Sequence, residues 1–283
     1  ITKHKEAEIR AAKYAEENRR FREDIEDDLL MASQLQKTFF PTTYPFFPSA
    51  DGSPDGSVQF CHLHHAGGMI GGDLCSIRKL SNDEVGIFLC DVMGHGVRAA
   101  LGTSIVRAMV EEISQKEKEP GRFLRHMNMI LMPLLRQEDI FMYATACYMV
   151  LNVSSGHIRF ANAGHPFPIH LDSNGKYVEG LMDDHSLIGP GLAIEEHAVY
   201  TTFEHQVKPG DTVFMYTDGI TEVVNRNEEE YGEKRLMDSA SGKINCSMSG
   251  LFDALYEDAC SFAAGDTVED DVCLVGFRLN HKS

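Results

Sequence analysis

Residues 87–102 read IFLCDVMGHGVRAALG. An apolar run, Ile87 to Cys90, stops at one carboxylate, Asp91, and Gly94, His95 and Gly96 follow before a helical spacing begins at Val97. The pattern describes a buried strand that delivers an acid at its end, a backbone free to bend, and then a helix. Three other stretches share this logic. AGGMIGGDLCS (66–76) sets Asp73 after a glycine-rich turn at the start of a strand, and DTVFMYTDGITE (211–222) ends an apolar strand at Asp218 beside Gly219. GDTVEDDVCLVGF (265–277) carries Asp270 and Asp271 just before the last strand. Singly, each is an ordinary turn or a solvated acid. Together they suit a hard cation, which needs oxygen ligands converging on one point and neighbouring backbone able to bend.

Short β-rich runs with turn signals between them extend from about residue 55. Strands are expected at Leu74–Leu80, Val85–Cys90, Tyr143–Leu151, His157–Ala161, Pro168–Leu171, Val199–Phe203, Thr212–Tyr216 and Val272–Leu279. VSSGH and DSNGK read as hairpin turns. Helical periodicity occurs at Val97, Leu101, Ile105, Ala108 and Met109 and at Phe123, Met127, Ile130 and Leu134, with further helices at 232–240 and 249–263. Helix pairs between runs of strands indicate an α+β domain with antiparallel sheets.

Residues 3–39 differ in kind. They contain no Pro or Gly, and alternating steps of four and three pick out Ala7, Ala11, Tyr14, Asn18, Phe21, Ile25, Asp28, Ala32, Leu35 and Phe39. This is a heptad seam with an interior Asn and a phase mismatch at Asp28, which reads as a stutter. A dimeric coiled coil is favoured over a helix packed on its own domain, because the Ala-rich first half has little to bury. Pro41 and Pro45 end the helix. The expected division is 1–40, a helical coiled-coil linker, and 41–283, the α+β domain.

With 43% apolar residues in 283, a substantial core is within reach. No run approaches the roughly 18 apolar residues of a membrane span. Seven cysteines without a CxxC pair read as reduced thiols of a cytoplasmic protein. A net charge of −17 argues against nucleic acid and against contact of this fragment with anionic membrane. The chain opens on Ile1-Thr2-Lys3 and reads as a fragment of something longer.

The segments ASQLQKTFFP, GGD, DVMGHGVRAAL, ATACYMVLNVSSGHIRFANAGHPFP, VKPGDTVFMYTDGITE with YGEKRL, and DDVCLVGFRL resemble, in order, the SpoIIE/RsbU-type branch of the bacterial metal-dependent serine/threonine protein phosphatases, the PPM class. The resemblance implies a four-layer αββα sandwich of two antiparallel sheets flanked by helix pairs, holding two Mn²⁺ or Mg²⁺ ions. It implies that Asp91 bridges both ions while Val92 offers a backbone carbonyl. Asp218 and Asp270 would complete one shell, with Asp271 as the alternative to Asp270, and Asp73 would serve the second ion. Asp91, Asp218 and Asp270 are then the catalytic set. The implied substrate is a phosphoserine or phosphothreonine of a bacterial regulatory protein, typically an anti-sigma-factor antagonist. An upstream sensor or receiver domain would act through the N-terminal helix, which would form a homodimer. The alternative is a catalytically weak scaffold or partner-switching module.

His95 and His165 are expected to orient or support structure rather than transfer protons, and Asn162 to pin a turn. His62, His64 and His65 lack partners at zinc-site spacing and read as an ordinary strand and turn. The chain departs from the family at Ser76, where a second Asp is common, and at Cys273, where Thr is common. It also lacks the arginine that some relatives outside this branch use to clamp phosphate.

Overall fold

The residues of EVGIFLCDV are buried on both faces of the strand they form, so the sheet that contains them needs cover on both sides. That requirement organises the molecule. The computed structural model describes residues 2–49, 56–137, 140–174, 177–182, 187–263, 268 and 270–280.

Helix α1 (Thr2–Lys37) leads into β1 (Val58–His65), β2 (Asp73–Lys79) and β3 (Glu84–Val92). The helix pair α2 (Val97–Ile113) and α3 (Pro120–Leu135) follows, then a small hairpin of β4 (Arg136–Gln137) and β5 (Ile140–Phe141). Strands β6 (Ala144–Asn152), β7 (His157–Ala163), β8 (Ile169–Leu171), β9 (Val178–Gly180), β10 (Phe203–Gln206) and β11 (Thr212–Tyr216) come next. A second helix pair, α4 (Gly232–Ser241) and α5 (Met248–Phe262), precedes β12 (Val272–Leu279). One five-stranded sheet has the order β1-β12-β11-β8-β9 and the other β10-β7-β6-β3-β2. Both are antiparallel throughout.

Three apolar clusters define four layers. Cys75, Ile87, Leu89, Met149, Met215 and Val275 pack between the sheets. Leu74, Phe88, Val106, Val110, Phe123 and Met127 fill the space under α2 and α3. Phe214, Leu236, Leu251, Phe252, Leu255 and Leu274 do the same under α4 and α5. Strands β2, β3, β6, β7, β11 and β12 each feed two clusters by alternation, which fixes register, because a one-residue slip would exchange the faces.

One expectation needs correction. The expected strand at Val199–Phe203 begins only at Phe203, because the residues before it attach to helix α3 instead: Gly121 N donates to Thr202 Oγ1 at 2.9 Å. The ordinary strand expected around His62, His64 and His65 is β1, which starts earlier, at Val58, and is half-buried from Cys61 to His64. Gly175 and Lys176 of the DSNGK turn lie outside the described residues, although β8 and β9 do pair around it. Helix α1 is exposed along most of its length, with Tyr14, Phe21, Leu30, Met31 and Leu35 all exposed. It joins the domain through Gln36, Phe39 and Phe40 at its end.

Leu89 is fully buried between the sheets on the strand that ends at Asp91. Leu89→Ala is expected to lower stability by about 2–5 kcal/mol, read as a lower urea midpoint with an unchanged slope.

Candidate metal centre

Asp73 and Asp91 are directly opposed partners in the β2–β3 ladder. Alternation aims both into the gap between the sheets, since Cys75 and Leu89, two positions away, belong to the inter-sheet core. Leu74 and Cys90, one position away, face the helices instead. From the other sheet, Asp218 opens a 3-10 turn, Asp218–Ile220, just past β11, and Asp270 and Asp271 lead into β12. Because β11 pairs with β12, these acids arrive at the same end of the molecule.

A hydroxyl joins the two sheets here. Thr217 Oγ1 donates to Asp73 Oδ2 at 2.7 Å and accepts from Cys273 N at 2.8 Å. Asp271 is occupied differently from Asp270. Its Oδ1 accepts from Gly67 N at 2.8 Å and its Oδ2 from Gly72 N at 2.5 Å, so it anchors the glycine-rich turn. Asp270 instead lines a cavity of about 560 Å³ together with Asp91, His95, Gly219 and Glu222. Val92 N donates to Gly72 O at 3.1 Å. A Cβ on Gly72 would lie 2.4 Å from the Val92 carbonyl oxygen and 2.9 Å from Asp91 Oδ1, so only glycine lets the turn come this close. Past Asp91, Gly94 has φ 87°, the left-handed conformation needed to turn the strand towards α2.

Burial and mutual repulsion govern these acids. Asp91 is pushed up to about 7, first by burial and then by the charges of Asp218, Asp270, Asp271 and Glu222. Asp73 is raised well above the carboxylate range by burial and by Asp91, Asp271 and Asp218, against the pull of its Thr217 hydrogen bond. Asp218 is raised by burial and by Asp270, and Glu222 by burial and by Asp218 and Asp270. Among the described residues no Lys or Arg forms an ion pair with Asp73, Asp91, Asp218 or Asp270.

An all-oxygen set of crowded carboxylates without a cationic partner fits Mg²⁺ or Mn²⁺ in donor chemistry. Among the described residues, no three His, Cys, Asp or Glu side chains converge as a ready-made ligand shell.

The remaining expectations can be read from contacts. His165 is buried, with Nδ1 at 2.8 Å from Thr145 Oγ1, and burial lowers it to about 3, so it stays neutral at physiological pH. Asn162 grips the turn around it, accepting from His165 N at 2.8 Å and donating to His165 O at 2.7 Å. His62, His64 and His65 go separate ways, to Tyr44, Phe40 and Tyr256 respectively. Ser76 is three positions from Asp73 and therefore faces the helices, with Leu74 and Phe88, not the acids. Sequence reading did not single out Thr217, Glu222 or Gln36, although all three lie inside stretches it quoted. Two of them act through hydrogen bonds to distant residues, which spacing does not reveal.

The fold is PP2C-like. The SiaA-PP2C domain of Pseudomonas aeruginosa superposes with a TM-score of 0.74 at 20% identity, covering 92% of this chain and 98% of that one. The chain belongs to the stage II sporulation protein E (SpoIIE) family, whose model matches residues 81–280, and its domain is of the PP2C-type phosphatase class. It is 21% identical to protein IcfG of Synechocystis sp., over 89% of this chain and 42% of IcfG. It is 22% identical to phosphoserine phosphatase RsbU of Bacillus subtilis, over 74% of this chain and 58% of RsbU. The chain thus spans about half the length of these two relatives. No helix among the described residues is long and apolar enough to cross a membrane.

Because the folded Asp91 binds its proton more tightly than an unfolded Asp, the native state holds the extra proton between about pH 4 and 7. Stability of the metal-free protein therefore falls as pH rises through that window. Asp91→Asn is expected to stabilise the metal-free protein at pH 8 by about 1–2 kcal/mol, with the gain gone at pH 4. Thermal melts in a chelator check this, and adding Mn²⁺ is expected to stabilise the native chain but not the variant.

Proposed function

We propose that this chain is a metal-dependent protein phosphatase that hydrolyses phosphoserine or phosphothreonine on a bacterial regulatory protein of the anti-sigma-factor-antagonist type. The observation that carries the reading is the set of four acids at four strand ends, Asp73, Asp91, Asp218 and Asp270, which raise one another's proton affinity, with Asp91 and Asp270 lining one cavity and, among the described residues, no Lys or Arg ion-paired with any of them. Membership of the SpoIIE family and the naming of RsbU as a phosphoserine phosphatase support it.

In this reading Asp91, the Val92 carbonyl, Asp218, Asp270 and Asp73 would be the protein oxygens that hold the ions. Mg²⁺ or Mn²⁺ held there would supply charge compensation for the phosphate and a water acidic enough to attack at neutral pH. The protein's own groups do the holding and the tuning. Without a cation the cleft would repel a phosphate dianion, because Asp91, Glu222 and Asp270 line it and, among the described residues, no Lys or Arg does. An Asp91 carboxyl titrating near 7 yields its proton readily to a competing cation, so binding releases protons at neutral pH. The thiols beside the cleft do not act as nucleophiles: burial raises Cys90 and Cys273 well above the usual thiol range. Asp271 keeps the glycine turn in place rather than serving as a ligand, since both its oxygens are taken by backbone amides.

Residues 1–40 form the linker in this proposal and 41–283 the catalytic domain. The exposed apolar side chains of α1 suit a homodimeric coiled coil that relays the state of an upstream sensor or receiver domain. Removing residues 1–32, which spares Gln36, Phe39 and Phe40, is expected to turn a dimer into a monomer in sedimentation equilibrium. A truncated chain that remains dimeric would remove the helix from this role.

The catalytic reading is tested with p-nitrophenyl phosphate and a phosphoserine peptide. Mn²⁺-dependent turnover is expected from the native chain, and Asp91→Asn and Asp218→Asn are expected to fall to the rate of buffer alone. A native chain no faster than its Asp91→Asn variant would leave a phosphatase-like scaffold.

A further inference from the structure

Helix α1 is exposed for most of its length, yet in its last turn one polar side chain is buried. Gln36 is only 6% exposed, and its amide is spent on the backbone of a single residue 35 positions away. Nε2 donates to Gly71 O at 2.7 Å, and Oε1 accepts from Gly71 N at 3.0 Å. Both hydrogen-bonding groups of the Gly71 backbone are thereby fixed by one side chain, in the manner of a strand neighbour.

What this backbone supports gives the contact its meaning. The next residue, Gly72, donates its N–H to Asp271 Oδ2 and offers its carbonyl to Val92 N and to Thr103 Oγ1, the latter at 3.1 Å. On the other side, Ile70 O accepts from Gly96 N at 3.3 Å. The turn 67–72 is thus pinned between the end of α1, the lead-in to β12 and the Asp91–Gly96 loop, and Asp73 follows it directly. Gly72 lies so close to the Val92 carbonyl and the Asp91 carboxylate that a shift of the turn by a fraction of an ångström would change how those oxygens are presented. A buried amide left without partners is costly, so the contact is kept or lost as a unit.

We propose that Gln36 is a positioning residue for the cation site, setting the Gly71–Gly72 backbone against which Asp73, Asp91 and Val92 present their oxygens. The inference rests on the reading of the acidic cluster as a divalent-cation site.

The test uses the full chain and Mn²⁺ alone, with affinity read by titration calorimetry and backbone exchange at residues 67–73 read by hydrogen–deuterium exchange. Gln36→Met keeps the side chain's length and bulk but can neither donate nor accept strongly, and Gln36→Ala removes it. Asn152→Ala is the control, since Asn152 holds the β6–β7 turn at the opposite end of the sheet, with Ser155 N on its Oδ1 at 2.9 Å. Gln36→Met and Gln36→Ala are expected to weaken Mn²⁺ binding about tenfold or more and to speed exchange at residues 67–73, whereas Asn152→Ala leaves both unchanged. Equal Mn²⁺ affinity in the native chain and Gln36→Met would overturn the positioning role alone. Absence of Mn²⁺ binding by the native chain would overturn the cation-site reading and this inference together.

Discussion

Two carboxylates, Asp73 and Asp91, face each other across adjacent strands in a gap where water is scarce, and two more approach from the opposite sheet. Opposed like charges on neighbouring strands work against folding, and burial sharpens the penalty. The register cannot slip to relieve it, because a shift of one residue would turn Cys75, Ile87 and Leu89 out of the inter-sheet core. Apolar packing along the length of the strands therefore holds the acids together at their ends. The cost surfaces as carboxyls that cling to their protons, and a divalent cation is the natural way to offset it.

The backbone around this cluster is fastened by side chains that themselves need no metal. Thr217 ties one sheet to the other through Asp73 and Cys273, and Asp271 holds two amides of the glycine turn. Gln36 holds the same turn from the helix side. Such outer contacts decide where first-line oxygens point, and sites of this kind depend on them nearly as much as on the ligands. That division of labour separates Asp270 from Asp271, two adjacent acids with different neighbours. One opens onto the cavity and the other is consumed by backbone.

The family match identifies the kind of domain, while the chemistry rests on the cleft. The departure at Ser76, which would suggest a weakened site if it faced the acids, lies on the helix side of its strand. It leaves the cluster itself intact.

Much of the architecture was legible from the amino-acid order. Apolar runs ending in Asp91 and Asp218 gave strands with acids at their tips, the spacing from Val97 and from Phe123 gave the first helix pair, and the quoted segments carried the family resemblance. These are local or periodic properties, written in neighbouring residues. The bounds of β1 were not legible because its half-buried residues hide the alternation, and the start of β10 escaped because Thr202 bonds to a helix rather than to a strand. What only the tertiary structure decided was which groups meet: Asp73 opposite Asp91, Asp271 on the amides of Gly67 and Gly72, Gln36 on Gly71. Those pairings join residues 18 to 204 positions apart, and hydrogen bonds over such separations depend on how sheets stack and loops close, which no local pattern encodes.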